Sequence, residues 1–513
     1  MTLNYDVIIV GYGPVGMVAA NIFGMYGLKT LVIEKNTTLY NIPRAIHFDD
    51  EIMRIFQYID LEKEILEISK PVPGLQLIDK NQKVLFQITK GVSSGWESSY
   101  LFYQPELESC LHQGVQRFEN VDVKMGVKFT TLSQSTNEIS LSLVDNGNPL
   151  SVKGKYLIGC DGANSTVRKF LKLPLRNLGF TSANLKIDLT TKTGNYPQFS
   201  SWIQKLCEPK LGSFVFLNGR ANHLRWEFSL HKKIPKSLAE SPEFVEKNLS
   251  KVIDPKEIEI RHIAFYQFRS VIAKKWRVNK VFLTGDAAHQ MPPYIGQGMA
   301  AGIRDVSNLS WKLFLKIQEN AGDKLLESYQ KERFSHVFKV IILTILVGKL
   351  FISKLSSLLK AAAWVLPNHL RKIKISEIPL SNGYFGRNKK TKGKLFIQPE
   401  VHIKGEATSI KLDKVLGKGF VILSLYQSPI PVLSQQNQDF LKRINFKVLM
   451  IKNTSDELKM DEEVCDSDNE LKKWFSRHRV EVVVLRPDRY IFDTSHIHNL
   501  NKTIDYMREK LSL

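Results

Sequence analysis

Cysteine is scarce in this chain, and the four that occur (Cys110, Cys160, Cys207 and Cys465) lie far apart. They form no CxxC and no Cys/His ligand spacing. That excludes a disulfide frame and a zinc site, and it points to a reducing compartment, the cytoplasm. Long apolar runs are missing as well. The most apolar late stretch, residues 340–366, is broken by Lys349, Lys354 and Lys360. No segment therefore reaches the roughly 18–20 residues a membrane span needs. The N-terminus has no basic residues ahead of its first apolar run and no small-residue cleavage site behind it. The run reads as a first strand, not a leader. There is no internal repeat, no low-complexity segment, no metal-ligand cluster and no nucleic-acid reader motif, and the basic stretches lack interleaved stacking aromatics.

Positive charge is abundant. Lys and Arg number 72 against 51 Asp and Glu, a formal +21, and basic residues crowd into 371–374 and 387–394. Such a field attracts anions: carboxylate substrates, nucleotide phosphates or a membrane surface. The plainer reading, preferred here, is a solvated basic linker. A chain of 513 residues has room for two or three domains.

Residues 6–10 (DVIIV) form a continuous apolar run, as a buried parallel strand requires. A glycine-rich turn, an apolar helix to about Tyr26 and a second strand at 30–34 (TLVIE) complete the opening of a βαβ unit. Shorter strand-like segments at 75–79, 84–88, 213–217 and 224–230 predict a second, mostly antiparallel sheet inserted into the first domain. Residues 280–284 return to buried-strand character, a helix is expected over 302–314, and helical character continues to about Leu370. A basic linker at 382–394 follows. Strands at 420–425, 446–451 and 481–485 then alternate with helices at 469–479 and 500–513, a small α/β domain with a structural or dimerising role.

Gly11-Tyr12-Gly13-Pro14-Val15-Gly16 lies directly between strand and helix. The first glycine permits the turn, the second lets backbone approach a pyrophosphate, and the third allows close packing. The helix N-terminus offers unpaired N–H groups to phosphate. Glu34, ending the second strand, suits a ribose diol and repels a 2′-phosphate, which disfavours NADP in this pocket. The motif does not separate FAD from NAD. Far downstream, Thr284-Gly285-Asp286 ends a strand, and a loop through Pro292, Pro293, Gly296, Gly298 and Met299 leads into a helix. Asp286 is placed to bond a polyol, and the new helix N-terminus can stabilise negative charge on a ring. A flavin needs both; NAD needs neither. A third element, Cys160-Asp161-Gly162 followed by Ser165 and Arg168, is again a strand end opening a helix. Its alternative reading is a capped turn with Arg168 paired on the surface.

The order GxGxxG, DG, GD resembles the class A flavoprotein monooxygenases, the para-hydroxybenzoate hydroxylase fold, over about residues 5–340. Residues 43–56 (PRAIHFDDEIMRIF), 103–108 (YQPELE) and 485–490 (LRPDRY) are similar to the subgroup of 3-(3-hydroxyphenyl)propionate hydroxylases. The resemblance implies α/β architecture with three parts. A Rossmann-type FAD-binding domain comprises 1–73, 97–183 and 269–345. An inserted substrate-binding sheet comprises 74–96 and 184–268. After a helical and basic segment at 346–390 comes a thioredoxin-like tail at 391–513, here without redox cysteines. It implies FAD contacts at Gly11, Gly13, Pro14 and Gly16, at Glu34 for the adenosine ribose, and at Lys35, Arg44 and Gln104. It implies Asp286 on the ribityl chain, the backbone at Gly298 and Met299 facing the isoalloxazine, and further cofactor contacts at Pro293 and Gly296. Asp161 and Arg168 are candidates for serving both FAD and NAD(P)H.

The implied reaction takes hydride from NADH or NADPH, activates dioxygen as a flavin C4a-hydroperoxide, and hydroxylates a small phenolic acid ortho to its hydroxyl. A homodimer is compatible with it. No catalytic acid or base can be named. His289 reads as structural, Tyr294 borders either substrate or loop, and Asp49 and Asp50 open a helix. Arg220, Arg225 and Arg269 could pair a carboxylate but read as surface or sheet-edge residues. The alternatives are a reductase of the same fold acting on a lipid, polyketide or antibiotic, and a basic binding protein that keeps FAD structurally. No Trp-x-Trp pair occurs, which argues against halogenation.

Overall fold

The computed structural model describes residues 3–513 apart from 40–43, 91–93, 193–200, 207–213, 220–222, 231–233, 251–252, 353–361, 364, 376 and 467. Pro43, Cys207, Arg220, Lys354 and Lys360 lie outside the described residues. The chain divides into two compact units. One comprises Met1–Gly91, Glu97–Arg304 and Phe338–Ser376; the other comprises Val92–Trp96, Asp305–Val337 and Glu377–Leu513.

The first unit contains two large sheets. In one, Leu3–Val10 runs parallel between Asn148–Gly159 and Thr30–Glu34, with Val281–Leu283 and Val121–Met125 beyond them. Val7, Ile8 and Ile9 are fully buried. That explains the unbroken apolar run: a central parallel strand has no solvated face. The other sheet has nine strands, in the order His289–Gln290, Ile258–Ala273, Leu175–Thr191, His223–Leu230, Phe214–Asn218, Ile203–Leu206, Leu75–Ile78, Val84–Lys90 and Lys372–Ile375. It is mostly antiparallel; Ile203–Leu206 with Leu75–Ile78 and Val84–Lys90 with Lys372–Ile375 are its parallel pairs.

Alternation gives the second sheet two different faces. Leu185, Ile187 and Leu189 pack with Leu224, Trp226 and Phe228 against Val245 and Leu249 of the helix Pro242–Leu249. The intervening Ser182, Asn184, Lys186 and Asp188 point the other way and are buried too. The basic stretch 371–374, expected as linker, instead supplies the edge strand Lys372–Ile375, whose positive side chains stay exposed.

The second unit is built on a seven-stranded sheet that includes Val421–Leu425, Lys447–Lys452, Val482–Leu485 and Ile491–Ser495, flanked by helices Glu470–His478 and Leu500–Leu511. Its core gathers Phe396, Leu423, Leu449, Trp474 and Phe475. The expected linker 382–394 is hydrogen-bonded into this unit. Gly386 N donates to Phe492 O, and Arg387 N and Asn388 N donate to the Asp493 carboxylate. Three backbone donors and a buried carboxylate fix the stretch despite its charge. Among the described residues no helix is long and apolar enough to cross a membrane, and no metal-ligating cluster occurs.

Candidate active site

Four parallel strands end in one line. Ile33 pairs with Val10, Val10 with Gly159, and Gly159 with Leu283. The residues that follow are Glu34, Gly11, Cys160-Asp161 and Thr284-Gly285-Asp286. Motifs more than a hundred residues apart in sequence thus share the carboxyl edge of one sheet, where open α/β sheets place their ligands. Cys160 Sγ lies 3.1 Å from Thr284 Oγ1, and Thr284 N donates to Gly159 O.

The glycine-rich turn is shaped as its spacing predicts, with one refinement. Gly11 holds φ +105°, and a Cβ there would lie 2.5 Å from Cys160 O, so side chains are excluded twice. A Cβ at Gly13 would meet nothing within 4 Å: this glycine faces open space. A Cβ at Gly16 would overlap Gly11 O, so the third glycine serves the turn itself more than the packing of helix on strand. Pro14 opens the helix Pro14–Met25, and no side chain caps that end. Its first N–H groups and dipole are left for an anion. Glu34 accepts from Tyr12 N at 2.9 Å and from Asn36 N at 3.0 Å. A carboxylate has about four lone-pair sites, so Glu34 braces the turn and keeps capacity for a diol. Lys35 is exposed beside it.

Asp286, in the turn Gly285–Ala287, is open to solvent, yet desolvation by its surroundings raises its pKa, against the pull of His289 and Arg44. A carboxylate that is both reachable and desolvated thus stands at this sheet edge. The helix Gly298–Gln318 starts nearby in sequence, and a Cβ at Gly298 would again meet open space. Gly296 takes φ +64° against His47, and Pro293 and Met299 are half-buried. An uncapped helix N-terminus, a diol acceptor and a second, solvent-reachable carboxylate on one sheet edge fit FAD, which carries a diphosphate and two polyols.

Asp161 accepts from Thr166 N and Val167 N, and burial raises its pKa. It caps the short helix Thr166–Phe170 together with Ser165, as the alternative reading had it. Arg168 is not the surface residue of that reading. It is buried and donates to Ala287 O at 2.8 Å and Ala163 O at 2.9 Å, tying the DG turn to the GD turn.

Arg44 is exposed on a segment held from both sides. Gln104 Oε1 accepts from Arg44 N and Ala45 N, and Gln104 Nε2 donates to Glu108 at 2.6 Å. Lys186 and Arg225 both donate to Arg44 O. The Gln104 side chain is thereby committed to orienting the Arg44 segment. Burial pushes the Glu108 carboxyl up to about 7, against the Gln104 hydrogen bond and the Arg44 charge, with Glu34 adding to the rise. The folded protein therefore holds this proton more tightly than the unfolded chain does. The stabilisation is complete below the ordinary value of 4.5 and is lost as pH rises through about 7, with a slope approaching about 1.4 kcal/mol per pH unit. Glu108→Gln keeps the acceptor and is expected to remove this slope. Thermal melts at about pH 5 and about pH 8 check it: the variant should gain on the native protein at the higher pH, and parallel losses would contradict the assignment.

Several side-chain networks beside these motif ends were not visible in the sequence. Asp49 is the N-cap of the helix Asp50–Tyr58, as its position suggested, but it also binds Arg304 at 2.6 and 2.7 Å and accepts from Gln297. Arg304 reaches Glu51 as well, at 2.5 Å. This network locks the Asp49 arm to the Gly298 helix. Arg225, read as a surface or sheet-edge residue, is fully buried and bidentate to Asp188, at 2.7 and 3.1 Å. Its charge is spent there and on Arg44 O. Arg269 is exposed on its strand, as expected. His289 is buried with its ring 5.0 Å from that of Trp276, in keeping with a structural role.

Comparison with known proteins defines the class. The profile of the FAD binding domain family matches residues 4–343, and that of the HcaD C-terminal domain matches 393–510. Among curated proteins, a 3-(3-hydroxy-phenyl)propionate/3-hydroxycinnamic acid hydroxylase of Mycolicibacterium smegmatis is 31% identical over 95% of this chain and 90% of its own length. One of Escherichia coli is 29% identical over 99% and 95%. Among solved structures, the flavin-dependent monooxygenase PieE, in complex with FAD and substrate, superposes with a TM-score of 0.83 at 18% identity over 99% of both chains. Aklavinone-11 hydroxylase with FAD and aklavinone gives 0.80 at 16% identity, also over 99% of both. At such identities these two show the fold. The chain belongs to the FAD binding domain family. Within it, this protein is an FAD-dependent monooxygenase of the aromatic hydroxylase class.

Proposed function

We propose that this protein hydroxylates a small phenolic acid of the phenylpropanoid type, with NADH or NADPH as electron donor. The observation that carries the reading is the meeting of the three motif ends on one sheet edge, joined through the Arg44 segment to the buried polar face of the second sheet. Relatives sharing nearly the whole chain are named for hydroxyphenylpropionate and hydroxycinnamate, which supports the substrate class. Lys205, buried on that polar face, supplies positive charge suited to an acid, while Lys186 beside it is paired with Glu227.

In this reading the N-terminus of the Pro14–Met25 helix, with Gly11, Gly13 and Gly16, holds the pyrophosphate. Glu34 accepts from the adenosine ribose and Asp286 from the ribityl chain. Backbone N–H groups at Gly298 and Met299 would face the ring, with Arg44 and Asp161 beside the cofactor. The chemistry supplied by bound FAD is acceptance of hydride from NAD(P)H and activation of dioxygen for transfer of one oxygen atom. The protein's part is to orient the ring, exclude water and hold charge in place.

The test is NADH and NADPH oxidation with and without a panel of phenolic acids, with product mass and hydrogen peroxide measured in the same tubes. Oxidation stimulated by one acid, with a product heavier by one oxygen, is expected. Peroxide alone with every phenol would move the substrate class to the polyketides suggested by the names of the fold neighbours.

A further inference from the structure

Tyr294 stands in the loop ahead of Gly298 and spans the space from the cofactor-facing loop to the second sheet. Its ring is held by the edge of Phe180, 6.1 Å away, and by Lys205 Nζ, 5.0 Å from its centroid; a Cβ at Gly348 would strike it. The ring is thus fixed while the hydroxyl is not. That hydroxyl is buried and makes no hydrogen bond of normal geometry, although Ser182 and Ser229 are near enough to oppose the rise to about 12 that burial imposes on its pKa.

Two more buried oxygens on the same face lack partners: Ser182 Oγ and Asn184 Oδ1. Ser182 and Asn184 alternate on one strand, and Asn184 stands opposite Ser229 on the next. Ser182 is 7% exposed and Asn184 2%. A buried polar atom without a partner is costly, and native proteins carry few. Three in one place, beneath the loop that leads to the flavin-facing helix, mark a subsite awaiting a polar group. Tyr294 stays protonated and can donate, Asn184 Oδ1 can only accept, and Ser182 can do either. A phenolic hydroxyl donates one hydrogen bond and accepts others, which matches this set. A carboxylate, by contrast, cannot donate to Asn184.

We propose that Tyr294, Ser182 and Asn184 form the subsite that grips the ring hydroxyl of the aromatic substrate, and so decide that a phenol, and not its unhydroxylated counterpart, is accepted. This rests on the phenolic-acid reading above. Tyr294 is then a substrate-binding residue, contributed by the cofactor loop, that sets the ring against the reacting centre.

The test is a chemical double-mutant cycle by isothermal titration calorimetry on the FAD-loaded protein. The ligands are 3-(3-hydroxyphenyl)propionate and 3-phenylpropionate; the proteins are native, Tyr294→Phe and Ser182→Ala, with FAD content and thermal midpoint recorded for each. The native protein is expected to prefer the hydroxylated acid. Tyr294→Phe should weaken that acid about tenfold, and Ser182→Ala about threefold, while 3-phenylpropionate is unchanged in both. If both variants bind the two acids in the native ratio, the subsite is overturned and the phenolic-acid reading stands. If the native protein does not distinguish the acids, both are overturned together. Should Tyr294→Phe lose FAD or stability, Ser182→Ala, a change on the sheet and not in the loop, decides alone.

Discussion

Gly16→Ala is expected to yield a folded but nearly colourless protein, with FAD affinity lower by about a hundredfold or more, some 2.7 kcal/mol. The added methyl would overlap the carbonyl oxygen of Gly11. Neither partner can give way cheaply. Gly11 N is bonded to Ile33 O, Tyr12 N is bonded to Glu34, and Gly11 already sits at φ +105°. The helix start is stiffened by Pro14. The overlap can be relieved only by opening the turn, which turns its N–H groups away from the cleft. Gly13→Ala is the complementary experiment. Its methyl meets nothing in the protein within 4 Å, and its backbone is extended at φ −83°, so stability should not change. Any loss of FAD affinity must then come from the ligand meeting the methyl. Fluorescence titration of apoprotein with FAD, beside far-ultraviolet circular dichroism, checks both. Native affinity in Gly13→Ala would remove this turn from the cofactor site.

The turn was legible in the sequence because its constraints are local: one strand, three glycines and a proline fix the backbone over six residues. The GD and DG segments were legible for the same reason, since each is a strand end followed by a small-residue turn. What the sequence withheld was partnership. Arg168 and Arg225 look alike as letters in amphipathic segments, yet the fold buries both and spends their charges on Ala287 O and Asp188. Arg304 sits mid-helix, and nothing local says that it meets Asp49 and Glu51 from a segment about 250 residues earlier. The edge strand Lys372–Ile375 was missed because an exposed edge needs no apolar face, only a neighbour with free backbone groups. The bounds of the C-terminal strands and helices, by contrast, came within a few residues, because their apolar periodicity is strong and their core is self-contained.

The largest effect on stability is expected from Glu332→Gln in the second unit. Glu332 Oε2 binds Arg486 at 2.9 Å, Lys312 at 3.0 Å and Asn308 at 2.7 Å, and Oε1 accepts from Tyr384 N. Arg486 also meets Asp488, which accepts from Trp311 Nε1. The side chains of Glu332, Arg486 and Lys312 are fully buried and that of Asp488 nearly so. Two cations and two carboxylates therefore balance in the core, and the Arg-Pro-Asp-Arg motif is explained by packing rather than catalysis. Burial alone would raise the Glu332 carboxyl, but Arg486 and Lys312 outweigh it and bring it down to about 2; Lys312, desolvated more than it is paired, falls to about 8. Glutamine keeps the shape and removes one negative charge, leaving a net positive charge without water. Breaking such a pair costs about 3–5 kcal/mol, or roughly 10 °C or more in thermal midpoint for a unit of this size. The deficit should shrink as pH rises toward about 8 and level off above it: without Glu332 to hold its proton, Lys312 becomes neutral at a lower pH than in the native protein, and above about 8 it is neutral in both. Adding Lys312→Met to Glu332→Gln should restore much of the loss, since the surviving Arg486–Asp488 pair is neutral. Thermal melts followed by tryptophan fluorescence, with Trp311 inside the cluster, read all three proteins. A single variant within about 1 kcal/mol of native, where surface pairs fall, would show that the cluster is solvated and that its charges do not depend on one another.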